Sequence, residues 1–333
     1  MVNKILLGEK IFVAGANGMA GSSICRMLER HGYGLNKNNG KILKPNRKEL
    51  NLLNLNEVED WFKKNQPTIV ILAAAKVGGI LANSTLPADF ILQNIKIQTN
   101  VIETSWRAGV KRLLFLGSSC IYPKFANQPI KEESLLKGSL EKTNEGYAIS
   151  KIAGIKLCES LRIQYGFDAI SLMPTNLYGP GDNYHETESH VMAALIRKFY
   201  EANENKSKSV TCWGTGSPLR EFMHVDDLGE AVVFALENWF PEAGNAPLDE
   251  NGNPLLYLNI GTGLDISIKD LSTKIATAIG YKGEIIWDTS KPDGTPKKQL
   301  NISKINALGW SSKIELDEGI RSTISNFTDD YKV

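Results

Sequence analysis

The feature that most constrains the fold is an apolar segment that leads through a glycine-rich loop into a helical pattern. Residues 10–15 (KIFVAG) read as a strand buried on both faces. The loop 15–21 (GANGMAG) has GxxGxxG spacing, and residues 18–32 then place apolar side chains at helical spacing. Such glycines let backbone N–H groups approach a pyrophosphate, which the helix N-terminus attracts. The pattern therefore predicts a dinucleotide-binding unit rather than an incidental glycine turn.

Strand-length apolar runs alternate with helical patterns through the first half of the chain. Further strands are expected at 40–45, 68–75, 112–119 and 169–179, and helices near 55–66, 88–108 and 147–165. Because this alternation requires crossover connections, the strands are expected to be parallel and covered by helices on both faces. The predicted fold is α/β, a Rossmann-type doubly wound parallel sheet with a smaller C-terminal α/β lobe that binds substrate.

The second half of the chain changes character and becomes turn-rich from about residue 181. We expect a dinucleotide-binding domain over residues 1–180, with later segments at about 221–263 interleaved into it. Residues 181–333 are expected to form mainly the substrate-binding lobe. The stretch 241–254 reads as an additional loop, and its sequence indicates no role.

Composition and cysteine spacing exclude several classes of function. The formal net charge of +1 gives no electrostatic reason to expect nucleic acid as a partner. No apolar run approaches the roughly 20 residues of a membrane span. The four cysteines, Cys25, Cys120, Cys158 and Cys212, form no CxxC or other metal-ligand spacing, so no metal site is expected. Unpaired cysteines favour a reducing compartment, and we expect a cytoplasmic protein.

Three side chains suit combined proton and hydride chemistry. Ser118 lies at the end of the predicted strand 112–119, and Tyr147 and Lys151 are four residues apart on one helix face. A free phenol has a pKa of about 10 and is a poor acid–base group at neutral pH. We expect the Lys151 ammonium to lower the pKa of Tyr147, and Ser118 to donate a hydrogen bond to a substrate carbonyl oxygen. A YxxxK pair alone is weak evidence of function. When it follows a GxxGxxG unit, it indicates an oxidoreductase.

The end of the second predicted strand indicates which nicotinamide cofactor is bound. Residues 44–48 (KPNRK) contain no acid, and the first carboxylate after them is Glu49. NAD enzymes usually offer an acid there to the ribose 2′-hydroxyl, whereas a guanidinium suits the 2′-phosphate of NADP. Arg47 therefore favours NADP (as NADPH), with a solvated basic turn as the alternative interpretation.

Together these motifs resemble the extended short-chain dehydrogenase/reductase family, and the resemblance runs the whole length of the chain. Segments similar to members that modify sugar nucleotides are 73–80 (AAAKVGGI), 118–123 (SSCIYP), 174–191, 213–227, 291–298 (KPDGTPKK) and 308–310 (LGW). The resemblance implies a small-molecule GDP-sugar substrate and a homodimer. The implied reaction is epimerisation of GDP-4-keto-6-deoxy-D-mannose at C3 and C5, followed by reduction at C4.

The resemblance also implies roles in proton transfer. Cys120 would be the base of the epimerisation and His190 the acid, while Ser118 and Tyr147 hold the enolate. The alternatives are a small buried cysteine at a strand end and a histidine that caps the following helix. His185 is not expected to take part. We expect His224 to help cap a helix that begins near Asp226.

Two sets of ligand contacts follow from the same resemblance. Cofactor contacts are expected from Gly15, Asn17, Gly18, Met19, Gly21, Arg47, Ala74, Lys151, Pro174, Leu177 and His190. Substrate contacts are expected from Asn176, Lys198, Trp213 and Arg220, with core packing as the alternative for Trp213. Either Lys291 or Lys298 is expected to add a contact, and the sequence does not distinguish them.

Two other functions fit part of this pattern. A UDP-hexose 4-epimerase would retain NAD, would need no Cys–His pair, and would be expected to carry an acid after the second strand. A catalytically silent family member could sense NADP or act as a scaffold. The intact Ser-Tyr-Lys set, with Cys120 and His190, argues against a silent protein.

Overall fold

The computed structural model describes residues 5–186, 188–291 and 293–331. Its strands are β1 (Lys10–Ala14), β2 (Lys41–Leu43), β3 (Ile69–Leu72), β4 (Arg112–Leu116), β5 (Ala169–Pro174), β6 (Asn176–Tyr178), β7 (Ser209–Trp213), β8 (Leu219–His224), β9 (Tyr257–Ile260), β10 (Asp265–Ser267), β11 (Glu284–Asp288) and β12 (Lys297–Lys298). Its α-helices are α1 (Met19–Arg30), α2 (Leu55–Asn65), α3 (Ile80–Thr85), α4 (Pro87–Arg107), α5 (Glu145–Tyr165), α6 (Val191–Glu204), α7 (Val225–Asn238), α8 (Ile268–Ile279), α9 (Ser303–Ala307) and α10 (Leu316–Tyr331).

The main sheet has six parallel strands in the order β2-β1-β3-β4-β5-β9. The chain runs from β1 to β2 on one side and then returns to place β3 on the other side of β1. This reversal creates a crevice at the carboxyl end of β1, where open α/β sheets bind ligands. The predicted Rossmann-type α/β class is confirmed.

Alternate residues of the main sheet face two separate apolar cores. Ile11 and Val13 pack in one core with α1 and α7, whereas Phe12 and Ala14 pack in the other with α2, α4 and α5. A strand covered on both faces must be apolar at every position, which explains the uninterrupted runs in the sequence.

Two late segments join this first unit. The strand β9 pairs with β5, and α7 packs against α1. Both lie within the stretch that the sequence led us to expect as interleaved. The proposed domain limits at residues 180 and 181 stay a prediction.

The second lobe contains small sheets and its own apolar core. The strand β8 pairs with β10, β12 and β6, and β7 pairs with β11. The core is built from α6, α8 and α10 with β7. Among the described residues, no helix is both long and apolar enough to cross a membrane.

The expectation of one strand over 169–179 was wrong. The segment forms β5 and then β6, which belong to different sheets. At the junction, the Thr175 hydroxyl donates to the backbone oxygen of Glu221 at 3.2 Å, so the chain leaves the main sheet and follows β8. An uninterrupted apolar run does not reveal which sheet each half will join.

Candidate active site

The glycine loop between β1 and α1 is packed too tightly for side chains at two of its positions. Gly15 has a φ of +87°, and a Cβ there would lie 2.8 Å from the backbone of Ala74. A Cβ on Gly21 would lie 2.1 Å from the Gly15 carbonyl oxygen. Gly18 precedes α1 and places no side chain over its first N–H groups. These features form a cradle that fits a dinucleotide pyrophosphate.

The turn after β2 leaves Arg47 at the surface. Asn46 Oδ1 accepts the backbone N–H groups of Lys48 and Glu49, at 2.8 and 3.2 Å. The Glu49 carboxylate in turn accepts the Asn46 N–H at 2.8 Å. The Glu49 carboxylate is thus hydrogen-bonded within the turn, whereas the Arg47 side chain is exposed.

The other expected cofactor residues lie along the same crevice. Asn17 and Met19 belong to the loop and to the first turn of α1, and Ala74 follows β3. Pro174 ends β5, and Leu177 lies in β6. All of these positions are at or beyond the carboxyl ends of strands.

Ser118, Tyr147 and Lys151 converge at the carboxyl end of β4. Ser118 Oγ accepts the backbone N–H of Cys120 at 3.2 Å, and Ser118 also hydrogen-bonds the Tyr147 phenol. Lys151 is buried, and its Nζ donates to the Leu116 carbonyl oxygen at 2.7 Å. The same Nζ lies 5.9 Å from the centre of the Tyr147 ring.

The expected effect of Lys151 on the pKa of Tyr147 was wrong for this arrangement. Burial, followed by repulsion from the Cys120 thiolate charge, raises the pKa of Tyr147 above its ordinary value, although the Ser118 hydrogen bond opposes this. Burial lowers the pKa of Lys151 to about 7. The phenol is therefore protonated at neutral pH, which suits a proton donor.

Cys120 lies beside a cation that sequence reasoning left undecided. Lys298 Nζ is 3.3 Å from Cys120 Sγ. Burial disfavours the thiolate, but the Lys298 charge, a Ser118 hydrogen bond and Arg220 together outweigh burial and lower the pKa of Cys120. An ionised thiol is the reactive form, so this cysteine has the properties of a base.

His190 immediately precedes α6, and its side chain makes no hydrogen bond to the helix N-terminus. His190 is thus the N-cap residue of α6 by position, while its side chain does not cap the helix. The residue is exposed, yet many protein atoms surround its ring. Desolvation, followed by repulsion from Lys298, lowers the pKa of His190. One lysine thus acts electrostatically on both Cys120 and His190.

Trp213 presents an aromatic surface between two cations. Its exposed fraction is 53%, which excludes the alternative of core packing. Lys198 Nζ and Lys291 Nζ lie 5.7 and 5.5 Å from the ring centre. Lys291 and Lys298 consequently serve different parts of the site, one at Trp213 and the other at Cys120.

Arg220 and Asn176 are held by backbone oxygens of the second lobe. Arg220 donates to the carbonyl oxygens of Leu219 and Asp293, at 2.8 and 3.4 Å. Asn176 Nδ2 donates to the Glu221 carbonyl oxygen at 2.7 Å. Arg220 also contributes to the field at Cys120, which links the expected substrate residues to the thiol.

The other two histidines of the sequence analysis lie apart from this cluster. His224 Nδ1 accepts the Asp226 N–H at 3.2 Å and caps α7, so that prediction is confirmed. His185 is exposed in the loop before α6. The residue that sequence reasoning missed is the buried Glu221, whose only signal was its place next to Arg220.

The fold and this site define a nicotinamide-dependent oxidoreductase of the short-chain dehydrogenase type. The chain belongs to the NAD dependent epimerase/dehydratase family, whose model matches residues 11–246. It is 52% identical to GDP-L-fucose synthase 1 of Arabidopsis thaliana, over 94% of this chain and 91% of that protein. It is 49% identical to GDP-L-fucose synthase of Escherichia coli (strain K12), over 96% of each chain.

A solved structure agrees with these relatives. The GDP-mannoheptose C4 reductase from Campylobacter jejuni, determined with NADP bound, superposes with a TM-score of 0.84 at 37% identity. The match covers 97% of this chain and 99% of that one. The similarity therefore includes both the main sheet and the second lobe.

Proposed function

We propose that this chain is an NADP-dependent enzyme with the activity of GDP-L-fucose synthase. It epimerises GDP-4-keto-6-deoxy-D-mannose at C3 and C5 and reduces C4 with NADPH to give GDP-L-fucose. The observation that carries the proposal is the Cys120 thiol, whose pKa is lowered by Lys298, beside the Ser118–Tyr147 pair. A simple 4-reductase needs no such base. Relatives at about half identity over nearly the whole chain support the same activity.

The proton chemistry assigns separate tasks to Cys120 and His190. The C4 ketone acidifies the protons on C3 and C5, and the Cys120 thiolate removes one of them. Ser118 and Tyr147 donate hydrogen bonds to the C4 oxygen, where negative charge develops in the enolate. His190 returns a proton on the opposite face, and its depressed pKa makes its protonated form a strong acid.

The reduction uses the same oxygen-binding pair. NADPH supplies the hydride that reduces C4. Tyr147 then gives its phenolic proton to the C4 oxygen, and its protonated state at neutral pH suits this step. Lys151 binds the cofactor ribose from the buried face of α5. The glycine loop holds the pyrophosphate, and Arg47 binds the 2′-phosphate.

The nucleotide end of the substrate is assigned to the second lobe. Trp213 offers its exposed ring to the base, with Lys198 and Lys291 beside it. Arg220 binds the diphosphate, and Asn176 contacts the sugar. These assignments place the GDP moiety on the second lobe and the hexose at Cys120.

We also propose that the enzyme is a cytoplasmic homodimer. Four free cysteines suit a reducing compartment. The helices α4 and α5 pack together and expose apolar side chains, among them Leu92 and Ile95 on α4 and Ile149 and Ile163 on α5. A second copy of this chain would cover them in a four-helix interface.

The decisive experiment separates proton exchange from reduction. Protein in D2O with GDP-4-keto-6-deoxy-D-mannose and no NADPH should incorporate deuterium at C3 and C5. Added NADPH should then be oxidised as GDP-L-fucose forms. NADPH oxidation without prior exchange at C3 and C5 would identify a plain 4-reductase and refute the proposal.

Two substitutions, each with a matched control, assign the exchange to its residues. Cys120→Ser and His190→Asn should each reduce deuterium exchange by at least about 100-fold, the usual scale for general acid–base groups. Cys158→Ser and His185→Asn alter a buried thiol on α5 and an exposed imidazole in the loop before α6, and should leave exchange unchanged.

A further inference from the structure

A fully buried carboxylate connects the segments that carry the thiol and substrate residues. Glu221 lies on β8 and has no exposed surface. Its Oε1 accepts the backbone N–H groups of Thr262 and Gly263, at 2.7 and 2.9 Å. Its Oε2 accepts the N–H of Leu300 at 2.7 Å. One side chain thus joins β8 to the loop after β9 and to the segment after β12.

The surrounding backbone is fitted closely to this carboxylate. A Cβ on Gly261 would lie 2.0 Å from Glu221 Oε1, so only glycine allows the loop to approach. Burying a carboxylate is costly unless its oxygens are hydrogen-bonded, and here three backbone donors satisfy them. Since those donors come from chain segments far apart in sequence, the carboxylate determines how these segments meet.

The hydrogen bond from Leu300 to Glu221 affects Cys120 indirectly, because Leu300 follows β12, the strand that carries Lys298. This strand consists of Lys297 and Lys298 alone and pairs with β8, and Gln128 and Ile130 also hold the backbone of residues 297–301. The Glu221–Leu300 bond anchors the chain two residues beyond Lys298. The ammonium of Lys298 lies 3.3 Å from Cys120 Sγ, so a shift of this backbone would move the charge relative to the thiol.

We propose that Glu221 is a positioning residue that fixes β12 so that Lys298 stays against the Cys120 thiol. The groups that face this thiol are Lys298, Arg220, Ser118 and Tyr147. Of these, Lys298 stands on the strand whose far end Glu221 anchors. The consequence for epimerisation rests on the proposed function, whereas the effect on the thiol does not.

The test measures the reactivity of Cys120 without any sugar substrate. The rate of alkylation by iodoacetamide is followed against pH in the full-length protein. The other three cysteines are buried, and Cys120→Ser gives their background. Glu221→Gln presents an amide to backbone donors and should weaken the attachment of β12 to β8, so that Lys298 shifts relative to the thiol. Alkylation near pH 7 should then slow by roughly tenfold, which corresponds to a rise of about one unit in the thiol pKa.

Asp227→Asn provides a matched control. The Asp227 carboxylate is also buried and accepts two backbone N–H groups, those of Lys313 and Ile314, both at 3.0 Å. Its loss should destabilise the chain but leave the alkylation profile of Cys120 unchanged. Glu221→Asp retains the charge on a shorter stem and should give an intermediate shift, which keeps the test available if Glu221→Gln fails to fold.

A double variant tests whether Glu221 acts through Lys298. Lys298→Met alone should slow alkylation, and adding Glu221→Gln should slow it no further. The proposal is overturned if the Glu221 variants leave the profile unchanged, if Asp227→Asn shifts it equally, or if the Glu221 effect persists without Lys298. A shifted thiol in a protein that does not turn over the GDP-sugar would refute the proposed function alone.

Discussion

Burial moves two neighbouring active-site groups toward their neutral forms. It raises the pKa of the Tyr147 phenol and lowers the pKa of Lys151 to about 7. The sequence placed both groups correctly on one helix face, because a spacing of four residues fixes that geometry. The sequence did not predict that burial would outweigh the Lys151 charge in setting the pKa of Tyr147. The depth of burial depends on β4 and its Phe115, over whose ring Lys151 lies at 4.8 Å.

The buried Lys151 should make the stability of the nucleotide-free enzyme depend on pH. The ordinary pKa of this group is 10.5, and its folded value is about 7. Between these values the unfolded chain binds a proton that the folded chain lacks, so this residue makes stability rise with pH. Urea unfolding at pH 7, 8 and 9 gives the free energy of unfolding at each pH. This free energy should rise more steeply with pH in the parent than in Lys151→Met, by up to about 1.4 kcal/mol per pH unit. Parallel slopes for the two proteins would mean that Lys151 is not titrating in this range.

At the scale of elements, the strand-loop-helix unit of β1 and α1 was predicted closely because its pattern is local. The glycine spacing, the apolar run and the helical periodicity all lie within about twenty residues of sequence. The strand β12 and its anchor could not be predicted in the same way. A two-residue strand has no periodicity, and its pairing with β8 depends on contacts between segments nearly eighty residues apart.

The glycine loop allows a prediction that separates packing from ligand binding. Gly21→Ala would bring a methyl group against the Gly15 carbonyl oxygen, and should lower the free energy of unfolding by roughly 1–3 kcal/mol. The same change should weaken NADP binding. Gly18→Ala has its nearest neighbour at 3.6 Å and loses only a preferred N-cap residue of α1, so the nucleotide-free protein should melt much closer to the parent than Gly21→Ala does. Thermal melts and NADP titration of both variants provide the measurement. Equal melting temperatures for Gly21→Ala and the parent would show that the loop can relax.

At the scale of the whole molecule, two lobes meet around Cys120, and each contributes part of the chemistry. The first lobe provides Ser118, Tyr147 and Lys151, while the second provides Lys298 and Arg220. Motif spacing could identify the first set because Ser118 ends a predicted strand and Tyr147 and Lys151 are four residues apart on one helix. Arg220 was expected from the family resemblance, whereas the place of Lys298 beside Cys120 became clear only through tertiary pairing. For this reason the choice between Lys291 and Lys298 needed the structure.

The proposed dimer is the property of the whole molecule that can be tested most directly. Along α5, exposed positions follow one another at helical spacing over residues 149–163, from Ile149 to the 81% exposed Ile163. The two ends of this exposed face are apolar, and its middle positions are Ala153, Lys156 and Ser160. Leu92 adds an exposed apolar side chain on α4, against which α5 packs. The double variant Leu92→Glu/Ile149→Glu would place four carboxylates at the centre of a symmetric interface, where charges without partners are costly.

The parent should therefore show a mass of twice 36.7 kDa by light scattering, and the double variant a mass of 36.7 kDa. Leu264→Glu changes a leucine on the second lobe that is more exposed than Leu92, at 72% against 54%, and should leave the dimer intact. Because Cys120, Tyr147 and Lys298 all come from one chain, a monomeric variant should keep its deuterium exchange at C3 and C5 if the fold is retained. A double variant that remains dimeric would place the interface elsewhere, whereas a folded monomer without exchange would show that the partner subunit is needed to order the site.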